Sequence, residues 1–119
     1  MPKRMKIAKV DKNQNELFKT AEALGALVTD THTINNFVDG VFVYRLKTYF
    51  VEVKDPDGAN FPKYFWGYDW EERKDYIIKN HLTPGELRYK KACEARGGIY
   101  IIIYDKPSLL WSLGLKNRA

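Results

Sequence analysis

Apolar positions recur at two different spacings along this chain, and the spacing separates predicted helices from predicted strands. Leu17, Phe18, Ala21 and Leu24 follow one another at helical spacing, which places them on one face of a helix. Gly25 comes directly after them and is a suitable residue to end that helix. Other stretches are short runs of β-branched and aromatic residues, which are typical of strands.

Capping residues indicate where two of the helices begin. Asp11 is a candidate N-cap for the first helix, and Gln14 stands at the capping-box spacing from it. The segment 83–86 is Thr-Pro-Gly-Glu, which combines a Thr cap, Pro at the first helical position and a Glu that closes a capping box. We expect this second helix to run to about Arg96, before the Gly97-Gly98 pair.

Two more helices are predicted from weaker patterns. Residues 69–80 have helical character, and their candidate buried residues are Trp70, Tyr76 and Ile77. Asp105, Pro107 and Ser108 can start a last helix. The inner side of that helix would carry Leu109, Leu110 and Leu113.

The predicted strands are 26–33, 40–46, 49–54 and 99–104. Lys47 and Thr48 are predicted to form a tight turn, which makes the second and third strands antiparallel neighbours. The last strand is nearly all apolar, as expected for a strand covered on both faces. Between the third strand and the next helix, residues 55–68 contain two Pro and two Gly and are predicted to form a long loop.

The order of elements is therefore α-β-β-β-(α)-α-β-α, and the fold class is α/β, with a mixed central sheet flanked by helices. A chain of 119 residues is the size of one domain. We expect a single domain over 1–119, with a basic arm at 1–10 and an aromatic-rich loop at 55–68.

Composition adds a moderate basic charge, with 20 Lys and Arg against 15 Asp and Glu, for a net charge of +5. Such a charge favours binding to phosphate backbones. The single cysteine, Cys93, cannot form an internal disulfide, which fits a reducing cytoplasm. No run approaches the roughly 18 apolar residues of a membrane span, and no apolar run follows the basic N-terminus as in a signal peptide. We expect a cytoplasmic protein without a membrane partner.

Candidate chemistry lies on the second and third strands. Glu52 and Lys54 are two apart and therefore project from the same face of a strand. A hairpin brings Asp39, which precedes the second strand, opposite Glu52. Two converging carboxylates repel unless a cation lies between them, and their hard oxygen atoms suit Mg²⁺ or Mn²⁺. The alternative is a solvated face with a weak salt bridge between Glu52 and Lys54.

These residues carry a resemblance to a known family. The segments 38–40 (Val-Asp-Gly) and 50–54 (Phe-Val-Glu-Val-Lys) resemble the signature of the PD-(D/E)XK nucleases. Further segments, in order, make the chain from about 10 to 113 similar to small stand-alone VRR-NUC domains, often encoded by phages: 10–16, 81–86 and 96–98. The sequence departs from the signature at Val38, where the family has Pro.

The resemblance implies a restriction-endonuclease-like fold and assigns roles within it. Asp39 and Glu52 would hold the metal together with the backbone carbonyl of Val53, and Lys54 would be the catalytic lysine. The first helix of such nucleases often supplies a further acidic or amide side chain that faces the metal. Gln14 matches that position best and Glu16 is the alternative, although Gln14 is equally explained as the capping partner of Asp11.

The implied activity is that of a Mg²⁺- or Mn²⁺-dependent DNA endonuclease. It would act on branched or structured DNA such as Holliday junctions, as a homodimer, in the host cytoplasm if phage-encoded. Basic residues that could line a DNA-binding surface are Lys63, Lys74, Lys79, Arg88, Lys90, Lys91 and Arg96. One alternative is a DNA-binding module of the same fold that is catalytically weak or inactive.

A second alternative is a small protein that binds a partner through its aromatic segment, which contains Phe61, Tyr64, Phe65, Trp66, Tyr68 and Trp70. That segment could also stack on unpaired bases, but we expect it to pack on its own core or across a dimer. His32 and His81 are too far apart to suggest a zinc motif. Cys93 is expected to be a packing residue on its helix.

Overall fold

Four α-helices, one 3-10 helix and four strands make up the part of the chain that the computed structural model describes, residues 13–58 and 60–115. In chain order they are α1 (Gln14–Ala23), β1 (Leu27–Asp30), β2 (Gly40–Tyr44), β3 (Lys47–Val53), the 3-10 helix (Lys63–Gly67), α2 (Trp70–Asn80), α3 (Pro84–Ala95), β4 (Ile99–Ile103) and α4 (Lys106–Ser112). The predicted basic arm, 1–10, lies outside these residues. The prediction of an α/β protein with a mixed sheet flanked by helices is confirmed.

The strands form one sheet in the order β1-β2-β3-β4. β1, β2 and β3 are antiparallel neighbours, whereas β3 and β4 run parallel. The register aligns Asp30 with Gly40, Gly40 with Val51, and Val51 with Ile101. One more step along β2 and β3 therefore places Asp39 opposite Glu52, as predicted.

Each face of the sheet is covered by a separate apolar cluster. On one face, α1 and α4 pack on the odd-numbered residues of β3 and β4, and Val51 and Ile103 are both fully buried. On the other face, α2, α3 and the 3-10 helix enclose a second cluster around Phe65 and Ile77, which are also fully buried. Glu52 lies among the residues of this second face, because even-numbered positions of β3 point towards it.

The predicted turn at Lys47 and Thr48 is wrong, because both residues belong to β3 and the turn is formed by Arg45 and Leu46. Both turn residues have positive φ, 50° and 67°, which is the geometry of a two-residue type I′ hairpin turn. Such turns usually carry Asn or Gly, so Arg45 and Leu46 gave no turn signal in the sequence.

Helix α1 begins at Gln14 with Asn13 as its N-cap, so the predicted capping box between Asp11 and Gln14 is also wrong. Gln14 is the first helical residue rather than the third, and Asp11 lies outside the described residues. Gly25 has a φ of +104° directly after the helix, which confirms its predicted role at the helix end.

The helix starts at Asp69 and Thr83 are confirmed, since each residue caps its helix and takes part in a capping box. Trp70, Tyr76 and Leu110 were predicted to be buried, but each is only half-buried. The strand predicted over 26–33 is limited to Leu27–Asp30.

The predicted loop 55–68 contains the 3-10 helix, which places Phe65 at the centre of the second cluster. Phe65 has no exposed surface, while Tyr64 and Trp66 beside it are 61% and 39% exposed. The aromatic segment thus packs on its own core through Phe65, which is one of the two expected arrangements; the other was packing across a dimer. Within the described parts of the chain, no helix has the length and apolar character that crossing a bilayer requires.

Candidate metal-dependent active site

Asp39 lies where β2 and β3 diverge. Its backbone N–H still donates to the carbonyl of Val51 at 3.0 Å, which continues the strand pairing. At the next step the acceptor is the Asp39 side chain: its Oδ2 accepts a hydrogen bond of 2.8 Å from the backbone N–H of Val53. The carboxylate therefore occupies the gap between the two strands, beside the peptide units that flank Glu52.

Gly40 allows helix α1 to pack close to this point. A Cβ at position 40 would lie 2.6 Å from the ring of Phe18 and 3.2 Å from the carbonyl of Thr29. Any larger residue at position 40 would therefore force the buried ring of Phe18 on α1 to shift. The glycine in the Val-Asp-Gly segment thus has a packing role directly next to the candidate metal ligand.

Glu52 is the buried carboxylate of the site, with only 3% of its surface exposed. The hydroxyl of Tyr100, itself buried, lies 3.4 Å from Oε1 and is placed to donate to it. Burial, together with the nearby carboxylates of Asp39 and Glu86, raises the pKa of Glu52 to about 10, and Lys54 opposes only part of this rise. Burial and Glu52 likewise raise the pKa of Tyr100.

Lys54 follows β3 and projects towards the same face as Glu52. Its ammonium Nζ lies 3.8 Å from Oε2 of Glu52 and 3.1 Å from Oε1 of Glu86 on α3. The side chain of Lys54 is only 16% exposed, so these carboxyl groups replace most of the water around its ammonium. The backbone N–H of Lys54 donates to the carbonyl of Ile103 at 3.0 Å, which holds this residue at the end of β4.

Glu86 was not among the sequence-predicted site residues. The sequence assigned it to the Thr83 capping box, and that assignment is confirmed. Burial acts to raise the pKa of Glu86, but the backbone N–H of Thr83 and the ammonium of Lys54 more than offset it, so the pKa lies below its ordinary value. Its second role, as the partner of Lys54, depends on how α3 packs on the sheet and leaves no signal in the local sequence.

Asn13 also contributes without having been predicted. Its Nδ2 donates to the carbonyls of Lys54 and Tyr104, at 3.0 and 2.9 Å. The start of α1 is thus tied to the ends of β3 and β4. An Asn placed just before a helical apolar pattern is an N-cap signal, but nothing local indicates that it bonds to distant strands.

The structure does not join Gln14 or Glu16 to the other predicted site residues. Gln14 is 2% exposed, and its Nε2 has no hydrogen-bond partner among the described groups. It lies near Asp30, whose pKa burial would raise but the hydrogen bonds from His32 lower overall. Glu16 is exposed and lines a different cleft, together with Asp55 and Asp57.

The site opens into a cleft of about 210 Å³. We call this opening the Glu52 cleft, and its lining residues are Asn36, Phe37, Val38, Glu52, Thr83, Gly85, Glu86, Tyr89 and Tyr100. Glu52 and Glu86 line this opening, whereas Asp39 and Lys54 do not.

The donor set is suited to a hard divalent cation. The carboxyl groups of Glu52 and Glu86 both contact the ammonium of Lys54, and the carboxylate of Asp39 lies close enough to Glu52 to help raise its pKa. Among residues 13–58 and 60–115, no three His, Cys, Asp or Glu side chains form a group that could hold a metal ion by themselves. Mg²⁺ commonly binds through one or two carboxylates and completes its shell with water and substrate phosphate, so Asp39 and Glu52 fit it.

The predicted DNA-binding residues differ in availability. Lys63, Arg88 and Lys91 are exposed. Lys90 is paired with Glu94 at 3.0 Å, and Lys74 lies 5.9 Å from the ring of Trp111. The first three are therefore freer to meet a phosphate backbone.

No family model, no curated protein and no solved structure matches this chain.

Proposed function

We propose that this chain is a metal-dependent endodeoxyribonuclease of the PD-(D/E)XK type, with a restriction-endonuclease-like fold. The observation that carries the proposal is the meeting of Asp39, the buried Glu52 and Lys54 where β2 and β3 diverge. A solvated salt bridge, the alternative explanation of Glu52 and Lys54, does not account for a carboxylate with 3% exposure.

Asp39 and Glu52 would hold Mg²⁺ or Mn²⁺, with the carbonyl of Val53 as a further ligand. A metal ion held there supplies a water of lowered pKa and offsets negative charge on the phosphate. Glu52 must give up its proton to serve as a ligand, because its raised pKa favours the neutral form without a cation. Glu52 is therefore the ligand whose proton competes with the metal.

Lys54 supports the reaction by placing a positive charge beside the phosphate. The water oxygen forms a bond to phosphorus, one bridging P–O bond breaks, and the leaving oxygen acquires a proton. The extra negative charge of the phosphate in this step is offset by the Lys54 ammonium. The carboxylate of Glu86 holds that ammonium at a distance of 3.1 Å and so keeps it close to Glu52.

DNA is the proposed substrate, with branched forms such as Holliday junctions preferred. The net charge of +5 and the exposed Lys63, Arg88 and Lys91 favour a phosphate backbone. Homodimer formation, which would pair two active sites, is supported by apolar side chains at one side of the sheet. Leu27 is 67% exposed, its cross-strand neighbour Val43 is 40% exposed, and Leu46 at the hairpin tip is fully exposed.

The test is cleavage of a labelled four-way junction by purified protein in Mg²⁺, in Mn²⁺ and in EDTA. Asp39→Ala and Lys54→Ala should each lower the rate by about 10²-fold or more, since each removes a group that acts on the transition state. Lys47→Ala is the matched control, because Lys47 is an exposed lysine at the far end of the same strand. Wild-type cleavage by both site variants would refute the assignment of these residues.

A catalytically weak DNA-binding module remains the second candidate, and one observation favours it. The described part of α1 brings no acidic side chain to Asp39 and Glu52, since position 14 is a glutamine. Such a module would bind the junction in a salt-sensitive manner and leave it uncut in either metal. The same experiment therefore separates the two functions.

A further inference from the structure

Glu86 is the closer of the two carboxyl groups that lie beside the ammonium of Lys54. The distance from Nζ of Lys54 is 3.1 Å to Glu86 and 3.8 Å to Glu52. We propose that Glu86 is a positioning residue that holds the Lys54 ammonium at the scissile phosphate. This inference rests on the proposed nuclease function, and it concerns a residue to which the family resemblance assigned no role at the site.

The carboxylate of Glu86 is fixed before any ligand arrives. Its Oε1 accepts the backbone N–H of Thr83 at 2.8 Å, and its own backbone N–H donates to Oγ1 of Thr83 at 3.1 Å. The oxygen that contacts Lys54 is the same Oε1. Because the capping box already restricts the Glu86 side chain, little further conformational entropy is lost when it orders Lys54.

Lys54 needs this second partner most when the site is loaded. A divalent cation held by Asp39 and Glu52 would attract the charge of Glu52 and repel the nearby ammonium. The Lys54 side chain is 16% exposed, so water replaces a lost partner poorly. Glu86 belongs to a different element, α3, and keeps a negative charge beside the ammonium in that state.

A capping role alone would also explain why position 86 is Glu, and the chain contains a residue that separates the two roles. Glu72 closes the capping box of α2 in the same way: its Oε1 accepts the backbone N–H of Asp69 at 2.9 Å. Glu72 is exposed and does not line the Glu52 cleft. Substitution of Glu72 therefore reproduces the loss of a cap without touching Lys54.

The experiment compares wild type, Glu86→Ala, Glu86→Gln and Glu72→Ala. For Glu86→Ala we expect kcat on a four-way junction to fall about 10-fold to 100-fold, with KM within about 2-fold of wild type. Losses of this size are typical of residues that orient a catalytic group without touching the substrate themselves. Glu86→Gln keeps an oxygen acceptor but not the charge, so its kcat should fall less. Glu72→Ala should leave both constants within about 2-fold of wild type, because a surface cap has only a local effect.

A second readout does not depend on cleavage. The acylation rate of the Lys54 amine by acetic acid N-hydroxysuccinimide ester is followed by mass spectrometry. We expect Lys54 to react several-fold faster in Glu86→Ala than in wild type or Glu72→Ala, because the amine is no longer held. The Mg²⁺ concentration that gives half-maximal cleavage should be the same in Glu86→Ala and wild type.

The outcomes separate the positioning role of Glu86 from the nuclease function itself. Unchanged kcat and unchanged Lys54 acylation in Glu86→Ala overturn the inference while the nuclease stands. A large rise in the Mg²⁺ requirement also overturns it, since Glu86 would then be a metal ligand. If wild type cuts no DNA but acylation rises only in the Glu86 variants, the nuclease function fails and the hold of Glu86 on Lys54 stands.

Discussion

Replacing Glu52 by Gln is expected to stabilise the metal-free protein. The carboxyl of Glu52 is 3% exposed and lies near the carboxylates of Asp39 and Glu86, which together with burial raise its pKa to about 10 from an ordinary 4.5. Gln has nearly the same shape, carries no charge at any pH, and can donate its amide hydrogens to the neighbouring carboxylates. The substitution thus removes the cost of keeping an ionisable group in this place.

The size of the effect follows from the difference in pKa between the folded and unfolded states. A group whose folded pKa is raised contributes its full stability below the unfolded pKa and loses it as the pH rises towards the folded pKa. Between pH 4.5 and about 10, Glu52 therefore lowers the free energy of unfolding by about 1.4 kcal/mol for each pH unit. At pH 7 the folded group is still protonated, so the cost is set by the unfolded pKa and reaches about 3 kcal/mol.

Urea denaturation in EDTA, repeated from pH 5 to pH 9, measures this difference directly. The free energy of unfolding of Glu52→Gln minus that of wild type should be small near pH 5 and grow steadily with pH. Glu22→Gln, an exposed site on α1, is the control and should stay within about 0.5 kcal/mol of wild type throughout. Added Mg²⁺ should stabilise wild type but not Glu52→Gln, since only wild type keeps both of the proposed ligands, Asp39 and Glu52.

A Glu52→Gln protein that is less stable than wild type by the same amount at every pH would refute the reasoning. Glu52 would then be ionised in the folded protein and stabilised mainly by Lys54. In that case its carboxylate would have no proton to release when a cation binds.

Three further substitutions test the surrounding structure by urea denaturation. Phe65→Ala removes a ring with no exposed surface and should lower the free energy of unfolding by about 3–5 kcal/mol, so a loss below about 1 kcal/mol would place the aromatic segment outside the core. Leu46→Gly should raise it by about 1 kcal/mol, because Leu46 has a φ of +67° and a fully exposed side chain; a decrease would contradict the type I′ turn. Asn13→Ala removes two hydrogen bonds to the ends of β3 and β4 and should cost about 1–3 kcal/mol, whereas the exposed Asn15→Ala should cost little.

Helix starts were predictable where the capping signal is contained in four consecutive residues. Thr83 and Glu86 form the predicted capping box, and Asp69 is the observed cap of α2. The start of α1 was not predictable in the same way. Asn13 directs its side chain to strands that lie 41 and 91 positions away, and no local pattern records that choice.

The hairpin shows how a correct pairing can accompany a wrong turn. The positions of Asp39 and Glu52 follow from the register, and that register requires Arg45 and Leu46 at the turn. Polar residues at Lys47 and Thr48 resemble a turn in sequence, but they extend β3 instead. The backbone twist of the two strands favours a type I′ turn even though its residues have side chains that disfavour positive φ.

The site was predictable to the extent that it lies within one hairpin. Glu52 and Lys54 share a face through the period of a strand, and Asp39 joins them through the register. Glu86 and Tyr100 come from α3 and β4, which reach the hairpin only through tertiary packing. Glu86, which raises the pKa of Glu52 and contacts Lys54, and Tyr100, which contacts Glu52, were therefore not predictable from the sequence.

A crystal soaked in Mn²⁺ and measured for anomalous scattering locates a bound cation without reference to any substrate. We predict an anomalous peak about 2.1 Å from carboxylate oxygens of both Asp39 and Glu52, as expected for a small hard cation. A crystal of Asp39→Ala treated in the same way should lack that peak. Wild-type crystals with no peak between these two residues at saturating Mn²⁺, or with a peak only beside Asp55 and Asp57, would contradict a metal-dependent nuclease site at Asp39, Glu52 and Lys54.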